Sequence, residues 1–422
     1  MPESIKNINS ITGKVKTKDG KEEICIGSIA QLREELTKAK KAGINSKFEI
    51  DNPQFDLHRP YVDEIILVSK SGQPMIRETD LIDVWFDSGA MPYAQWHYPF
   101  ENKDIFEKNY PADFIAEGVD QTRGWFFTLH AVATMLSESS EEIKAVNKKV
   151  GNGGVAFKNV ISNGLVLDKD GNKMSKRKGN VVNPFESLAK YGPDVVRWYM
   201  IENAPPWDNL KFDFDGITET QRRFFGTLIN TYNFFALYAN IDGFVKDEQN
   251  NVPYGQLAPL DKWIITKEQS LITDVIAAYD DYEPTRAARA IQEFVNDHVS
   301  NWYVRLNRKR FWQPANRGEL SVDKRAAYET LYECLMVTAQ LMSPIAPFFS
   351  EWLYKNLTDN IRSSAKKNNT PLQFESVHHT RMVKSELNRK DEELEISMDY
   401  AQRICSLVHS IRKNSKVKVR TP

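Results

Sequence analysis

The sequence predicts two kinds of structure in series, an α/β region followed by an all-α region. Between residues 111 and 215, short apolar runs typical of strands alternate with helical patterns, and the short connections favour a parallel β-α-β unit. From residue 217 onwards, long helical patterns follow one another and strand patterns almost vanish, which predicts a helical bundle. A chain of 422 residues is enough for two to four domains, at ~100–200 residues per domain.

The first 110 residues carry weaker signals. A helix is predicted over residues 28–42, because Leu32, Leu36 and Ala39 recur at helical spacing and Gly43 follows them. Residues 61–110 are predicted to be irregular or extended, with turns at residues 71–72 and 88–89, both Ser-Gly.

In the α/β region we predict a strand at 114–116, a helix at 121–136, a second, buried strand at 159–167 and helical structure over 184–204. The polar stretch 359–371 is predicted to be a loop or a disordered link. Long helices are predicted over 217–241, 259–280, 283–312, 322–342 and 395–414.

Composition excludes several classes of protein. The 56 Lys and Arg and 57 Asp and Glu residues leave a net charge of −1, so a nucleic-acid surface must be a local patch. With 41% hydrophobic residues, intrinsic disorder is not expected. The three cysteines lie far apart, without a disulfide framework or a metal knuckle, which favours a reducing cytosol. The longest uncharged stretch, 334–350, is too short and too interrupted to cross a membrane, and the N-terminus has no targeting pattern.

The string NKMSKRKGN at residues 172–180 places four cations within six residues, directly after a predicted strand. The ammonium groups of Lys173 and Lys176 could neutralise charge that grows on a polyphosphate, with Ser175 and backbone N–H groups assisting. A solvated hairpin tip or a short basic address tag is the alternative reading of the same composition.

The string FIAEGVDQTRGWF at residues 114–126 marks the end of a strand and the start of a helix, where doubly wound sheets bind nucleotides. Glu117, Asp120 and Gln121 cluster there, and a carboxylate can accept hydrogen bonds from ribose hydroxyls. Gly118 would let a ligand approach the backbone closely. The alternative is that Asp120 only caps the helix.

The order K-M-S-K-R after a strand resembles the signature loop of class I aminoacyl-tRNA synthetases. The text around Asp120, together with DVWFDSG at 83–89 and DLHRPYVDEI at 56–65, resembles the isoleucyl branch of that family. The resemblance implies the C-terminal half of a doubly wound, Rossmann-like catalytic fold followed by an anticodon-binding helical bundle. It also implies domains at 1–60 (a segment returning from an inserted editing region), 61–215 (the catalytic half with the KMSKR loop) and 216–422 (the anticodon-binding bundle).

The same resemblance assigns residues to roles. Lys173, Ser175 and Lys176 would be catalytic. Trp85 and Trp125 would line the amino-acid pocket, although a tryptophan at such a place is often only part of a core. The adenylate would be held by Glu117, Gly118, Asp120, Gln121 and Lys176.

Two further strings, SNWYVRLNRKRFW at 300–312 and MSPIAPFFSE at 342–351, resemble the anticodon-binding bundle of these enzymes. No acidic residue lies between 303 and 313, so the cations there suit an RNA backbone, and Trp312 could stack on an unpaired base. A solvated helix face with an internal tryptophan is the alternative. The tRNA-binding residues expected from this segment are Arg305, Arg308, Lys309, Arg310 and Trp312.

The implied reaction joins isoleucine to ATP, releasing pyrophosphate, and then transfers isoleucine to the 3′ end of its tRNA. Mg²⁺ would accompany ATP. No zinc is expected, because the segment at 68–75 lacks the cysteine pair of many relatives. We expect a cytoplasmic monomer without membrane contacts.

The second family signature, H-x-G-H, begins at none of the seven histidines. The chain is therefore expected to be an internal part of a longer enzyme, without the editing domain, truncated at its C-terminus and inactive alone. A valyl relative, another adenylate-forming nucleotidyltransferase and a non-catalytic synthetase-like tRNA-binding module remain as alternatives.

Overall fold

A computed structural model of the protein describes residues 12–17, 20–52, 55–77, 83–247, 250–314 and 319–419. The chain divides into two compact units, Met1–Asn163 and Gly164–Pro422. Each unit has hydrophobic clusters of its own, three in the first and two in the second, within the described ranges.

The first unit begins with an antiparallel sheet of the strands Thr12–Thr17 (β1), Gly20–Cys25 (β2), Ile66–Val68 (β3) and Pro74–Arg77 (β4), in the order β2-β1-β4-β3. The predicted helix at 28–42 is confirmed as α1, Ile29–Lys41, and the Ser28 side chain accepts a hydrogen bond from the Gln31 N–H at its start. The turn predicted at 71–72 joins β3 to β4, with Gly72 at a φ of +81°.

The prediction of irregular or extended structure up to residue 110 is wrong for residues 84–94 and 103–109, which are mostly helical, and holds for the turns at 95–102. Asp83 starts the first helix by accepting the Trp85 N–H at 2.7 Å. Gly89, predicted to lie in a turn, ends that helix where a Cβ would lie 2.9 Å from Thr128, so close packing and not a turn requires glycine. The helices are Val84–Gly89 (α2), Met91–Ala94 (α3) and Lys103–Asn109 (α4).

The predicted β-α-β unit is confirmed. Strand β5, Ala112–Gly118, pairs in parallel with β6, Phe157–Asn163, and the helices α5, Trp125–Ser139, and α6, Glu141–Val150, lie between them in the chain. The predicted burial of the second strand is wrong. Val160 is 45% exposed, because β5 and β6 pair only with each other in the described part of the chain.

The second unit starts with the short parallel strands Val166–Leu167 (β7) and Leu210–Lys211 (β8). The strand predicted over 159–167 is thus interrupted at Gly164, where a Cβ would lie 2.2 Å from the Asp208 carbonyl oxygen. The helical structure predicted over 184–204 is confirmed as two helices, α7 at Pro184–Tyr191 and α8 at Pro193–Asn203. Gly192 separates them, since its φ of +80° cannot continue a helix.

A helical bundle forms the rest of the second unit. The predicted helices at 259–280 and 322–342 are confirmed as α11 and α14, and two others continue through π-helical segments at Gln221–Phe225 and Phe294–Val304. The helices are Phe214–Thr220 (α9), Gly226–Asp242 (α10), Pro259–Asp280 (α11), Pro284–Glu293 (α12), Arg305–Trp312 (α13), Val322–Met342 (α14), Pro347–Leu357 (α15), Asp359–Asn368 (α16) and Glu392–Asn414 (α17).

Helix α16 corrects the prediction of a loop or disordered link over 359–371. Its charges suit the helix dipole, with Asp359 in the first turn and Lys366 and Lys367 in the last. Asn369, at a φ of +53°, ends the helix in the left-handed region. Among the described residues, no helix combines the length and the apolar character that a membrane span requires.

Candidate functional site

The predicted adenylate segment lies at the carboxyl end of β5. Glu117 and Gly118 are its last two residues, and they are opposite Ser162 and Asn163 of the parallel strand β6. A short 3-10 turn, Val119–Arg123, follows and leads to α5. Polar side chains therefore gather at the carboxyl ends of two parallel strands, the edge where doubly wound sheets bind ligands.

Asp120 and Gln121 shape this turn. A Cβ on Gly118 would lie 2.6 Å from Asp120 Oδ1, so the carboxylate folds back over a backbone that has no side chain there. Gln121 Oε1 accepts the Trp125 N–H at 2.9 Å, and Gln121 Nε2 donates to Asp120 Oδ2 at 3.4 Å. The first N–H of α5 is thus capped by Gln121, and the exposed Asp120 carboxylate is not its cap.

The two tryptophans of the predicted amino-acid pocket are held beside this turn. The Trp85 ring lies 3.2 Å from the position of a Cβ on Gly124, directly before Trp125. Trp125 Nε1 donates to the Ser88 carbonyl oxygen at 3.1 Å. The structure therefore brings Trp85, Trp125 and Gln121 together, with Trp85 44% exposed and Trp125 half-buried.

The basic string forms a loop in the second unit, after β7. Two residues organise it. Asp168 Oδ1 accepts the N–H groups of Asp170 and Asn172 at 3.1 and 2.7 Å, and Asp168 Oδ2 accepts Asn180 Nδ2 at 2.8 Å. The Asn180 amide also accepts the Ser175 N–H at 2.9 Å and donates to the Lys173 carbonyl at 3.3 Å. The Asn180 side chain, at the end of the loop, is thus hydrogen-bonded to residues at its start and in its middle.

The residues of this loop differ in their exposure to solvent and in their charge. Lys173 is exposed and Ser175 is half-buried, with its Oγ accepting the Lys178 N–H at 3.3 Å. The backbone of Lys176 begins a short 3-10 turn, and its side chain lies outside the described part of the structure. The Asn180 amide and the Asn172 N–H, in that order, lower the pKa of the Asp168 carboxyl, so Asp168 is ionised at neutral pH.

Sequence reasoning missed Asp168 and Asn180. Asp168 precedes the basic string and Asn180 ends it, and the prediction considered mainly the cations between them. A single sequence does not show that a carboxylate is hydrogen-bonded to an amide twelve residues later. The turn pattern Asp168-Lys-Asp-Gly171 was the available signal, because Asp side chains accept backbone N–H groups two residues on.

The predicted tRNA-binding patch is only partly open. Arg305, Arg308 and Lys309 are exposed on α13, and Trp312 is 55% exposed. Arg310 differs from them, because its guanidinium donates to Asp261 of α11 at 2.7 and 2.8 Å and to Asp323 of α14 at 3.1 Å. The prediction counted acidic neighbours along one helix, whereas the partners come from two others. Arg310 does not belong to an open basic patch.

Near the end of the chain, α17 exposes Arg403 and Lys413, and Arg420 lies outside the described residues. In the ranges that the structure describes, no three His, Cys, Asp or Glu side chains form a group that could hold a metal ion. The segment at 68–75 is the hairpin turn between β3 and β4.

Comparison with protein families identifies both regions. Residues 16–213 match the family described as tRNA synthetases class I (I, L, M and V), and residues 261–422 match the anticodon-binding domain of tRNA ligase.

Three individual relatives carry the same name, isoleucine–tRNA ligase. The chain is 61% identical over 407 residues to an isoleucine–tRNA ligase of Cytophaga hutchinsonii, covering 96% of this chain and 34% of that protein. The same enzyme of Porphyromonas gingivalis is 52% identical over 420 residues, and that of Thermus thermophilus is 42% identical over 403. The shares of those two proteins covered are 34% and 35%, so the chain spans about a third of the length of the curated relatives it matches.

Solved structures support the fold. A LeuRS of Agrobacterium radiobacter K84, in a ternary complex with tRNA and LeuAMS, matches 82% of this chain and 39% of its own at 16% identity, with a TM-score of 0.58. The methionyl-tRNA synthetase of Mycobacterium tuberculosis, in complex with methionyl-adenylate, matches 82% of this chain and 65% of its own at 17% identity, with a TM-score of 0.50. These matches confirm the predicted fold class, and residues 16–213 of the chain belong to the class I tRNA synthetase family of the isoleucine, leucine, methionine and valine group.

Proposed function

We propose that this chain carries part of an enzyme that activates isoleucine with ATP and transfers it to the 3′ end of isoleucine tRNA. The observation that carries the proposal is 51–61% identity to isoleucine–tRNA ligases along 96% of the chain. We assign the catalytic half-fold to residues 61–215 and anticodon binding to residues 216–422.

In the first reaction the isoleucine carboxylate attacks the α-phosphorus of ATP, and the bond to pyrophosphate breaks. Negative charge grows on the leaving phosphates, so the cations of the basic loop are suited to stabilise it. Lys173 and Lys176 take this role and Ser175 supports the phosphates. The hydrogen bonds of Asn180 to Asp168 and to Ser175 support the proposal, because they hold the loop backbone in one conformation.

The turn after β5 is suited to the adenylate. The exposed Glu117 and Asp120 carboxylates can accept ribose hydroxyls, Gly118 leaves room at the backbone, and Gln121 keeps the turn in place. Trp85 and Trp125 beside it offer an aromatic wall for the aliphatic side chain of isoleucine.

For tRNA we retain Arg305, Arg308, Lys309 and Trp312, whose exposure suits an RNA backbone and an unpaired base. Arg310 is reassigned to the bundle interior. Mg²⁺ would arrive with ATP, held mainly by its phosphates, as Mg²⁺ commonly is in nucleotide sites. A cytoplasmic monomer remains the proposal for location and assembly.

A chimeric enzyme tests the activity. In it, this chain replaces the matching third of the C. hutchinsonii relative, and isoleucine-dependent exchange of pyrophosphate into ATP is measured. Lys173→Ala and Lys176→Ala should each lower kcat by about 10²-fold, the usual loss of one transition-state contact, with little change in the KM for isoleucine. Lys169→Ala, at an exposed cation outside the basic string, is the control and should leave the rate near that of the parent chimera.

A change confined to the KM for isoleucine would contradict the role of the two lysines. Activation of valine in preference to isoleucine would favour the valyl alternative. The chain alone is tested for tRNA binding with isoleucine and valine tRNA transcripts at one moderate salt concentration. Specific tRNA binding together with an inactive chimera would favour a non-catalytic tRNA-binding module.

A further inference from the structure

A lysine that belongs to none of the sequence motifs lies beside the basic loop. Lys211 is in β8, where it is opposite Leu167 in the parallel pairing of β7 and β8. On its other side, Leu167 forms an antiparallel β-bridge with Lys173 of the basic loop. Leu167 is therefore the middle residue of three neighbouring segments, with Lys173 on one side and Lys211 on the other.

This pairing places both lysines on the same face of the small sheet. Residues that lie directly opposite each other in neighbouring strands carry their side chains on one face. Because neighbouring strands are about 4.7–4.9 Å apart, the backbones of Lys173 and Lys211 lie roughly 10 Å from each other. A lysine ammonium is carried on a flexible four-carbon stem, so the two ammonium groups can approach one ligand from both sides of Leu167.

The turn at 168–171, which leads into the basic loop, leaves room for the Lys211 side chain. A Cβ on Gly171 would lie 3.3 Å from Lys211 Cε and 3.7 Å from Lys211 Nζ. The end of the Lys211 side chain therefore lies against this turn, where residue 171 has no side chain. Its ammonium is thus close to the backbone that positions Lys173.

The backbone of Lys211 is fixed, whereas its ammonium is free. The Lys211 carbonyl oxygen accepts the Tyr199 hydroxyl at 2.9 Å and Asn203 Nδ2 at 3.3 Å. The N–H of the next residue, Phe212, donates to the Leu167 carbonyl oxygen at 2.9 Å. Lys211 is exposed, and its side chain makes no hydrogen bond or ion pair with any residue that the structure describes. A ligand can therefore bind this ammonium without breaking a native contact.

We propose that Lys211 binds the phosphates of ATP together with Lys173 and stabilises the pyrophosphate that leaves. The proposal rests on the proposed function and adds a cation to its phosphate site. As the isoleucine carboxylate oxygen forms its bond to the α-phosphorus, the bond from that phosphorus to the oxygen of the β-phosphate breaks. The electron pair of the broken bond leaves with pyrophosphate, and the two ammonium groups neutralise the charge that grows there.

The pairing of two lysines favours a compact polyanion. A single exposed lysine attracts any phosphate as a point charge. Pyrophosphate carries several negative charges on two linked phosphates, whereas each phosphate of an RNA strand carries one. Two ammonium groups that reach the same ligand therefore gain more from pyrophosphate than from an RNA backbone.

Isothermal titration calorimetry of the full chain with inorganic pyrophosphate tests this proposal. Lys211→Ala should weaken binding by about tenfold, the usual loss of one hydrogen bond between charged groups. Lys211→Arg should recover most of the affinity, because the positive charge is kept. The matched control is Lys169→Ala, which removes an exposed cation of the same turn that is not opposite Leu167.

Equal weakening by Lys169→Ala and Lys211→Ala would overturn the proposal, because only net charge would then matter. Absence of pyrophosphate binding by the parent chain would also overturn it, since both lysines belong to this chain. Whole isoleucine tRNA is titrated in parallel. If Lys211→Ala weakens tRNA binding but leaves pyrophosphate binding unchanged, the ammonium binds an RNA phosphate and the proposal fails.

Pyrophosphate exchange in the chimeric enzyme separates this proposal from the proposed function. Lys211→Ala should slow the exchange by about tenfold without changing the KM for isoleucine. If Lys173→Ala slows the exchange but Lys211→Ala changes neither the exchange nor pyrophosphate binding, the Lys211 assignment fails and the proposed function stands. If the full chain binds pyrophosphate through Lys211 but the chimera shows no exchange, the phosphate site stands and the proposed activity fails.

Discussion

Arg310 of α13 and Asp261 of α11 form a two-bonded ion pair inside the helical bundle, with N–O distances of 2.7 and 2.8 Å. The Asp261 side chain is fully buried, and the Tyr303 hydroxyl donates to it at 2.6 Å. The sequence placed Arg310 in a predicted RNA-binding patch. In the fold, its guanidinium instead neutralises the Asp261 carboxylate, which solvent does not reach. The pair connects α11 to the helix that carries the exposed cations.

Removal of Arg310 should therefore destabilise the bundle. Arg310→Ala leaves the Asp261 charge buried and unpaired, and we expect a loss of about 3–5 kcal/mol in the free energy of unfolding. Chemical denaturation measures it. Arg308→Ala, two residues earlier on the exposed face of α13, should change this free energy by less than about 0.5 kcal/mol. Similar values for both variants would contradict the buried role of Arg310.

Gly89→Ala should separate α2 from α5. The added Cβ would lie 2.9 Å from the Thr128 backbone, and the strain should cost about 1–3 kcal/mol in stability. The shift should also break the bond from Trp125 Nε1 to Ser88 and change tryptophan fluorescence. Gly153→Ala is the control, because a Cβ there would meet no atom within 4 Å. Equal stability of the two variants would exclude tight packing at Gly89.

Asn180→Ala should loosen the basic loop. The Ser175 N–H loses its acceptor and Asp168 loses the Asn180 amide, so backbone amides from 173 to 178 should exchange hydrogen for deuterium faster. Hydrogen-exchange mass spectrometry of the full chain measures this. Arg177→Ala, an exposed cation of the same loop, should leave the exchange rates near those of the parent chain. Unchanged exchange in Asn180→Ala would show that the amide does not hold the loop.

Stability should depend on pH through His298. Burial lowers its pKa to about 4, with a smaller contribution from the Lys267 ammonium. A histidine with an ordinary unfolded pKa of about 6.5 takes up a proton only in the unfolded state as the pH falls, so stability decreases from pH 6.5 towards pH 4. The other charged groups that act on the imidazole are Asp297, Glu395 and Asp399.

Between pH 7 and pH 5 this group should cost about 2 kcal/mol of stability. His298→Phe should remove that part of the pH dependence in chemical denaturation, and His409→Gln, at an exposed position, should retain it. Identical pH profiles for the parent chain and His298→Phe would show that the pKa of His298 is the same in the folded and the unfolded state.

Long helices with a continuous apolar stripe were predictable from sequence because periodicity reflects burial directly, as for α11 and α14. Helix α16 was not, since none of its residues is buried and its sequence is mostly polar, although the placement of Asp359 and Lys366 suits the helix dipole. The helix at 84–89 was missed because Gly89 looks like a turn residue, and only Thr128, 39 residues later, explains it.

In the candidate site, too, some features could be predicted from the sequence and others could not. Single residues with distinctive chemistry, such as Lys173 and Asp120, can be identified as candidates from a sequence motif. Relations between residues cannot, which is why the partners of Arg310 could come only from the fold.

Because Asp168 and Asn180 are hydrogen-bonded to each other, exchanging the two residues would move the negative charge from position 168 to position 180. In the transposed variant Asp168→Asn/Asn180→Asp, an amide at 168 could still accept two N–H groups and donate to position 180. A carboxylate at 180 could still accept the Ser175 N–H, so only the bond to the Lys173 carbonyl is lost. The anion would then lie among the loop cations and compete with phosphate. Weaker binding of inorganic pyrophosphate, with the loop still protected from hydrogen exchange, is the expected result.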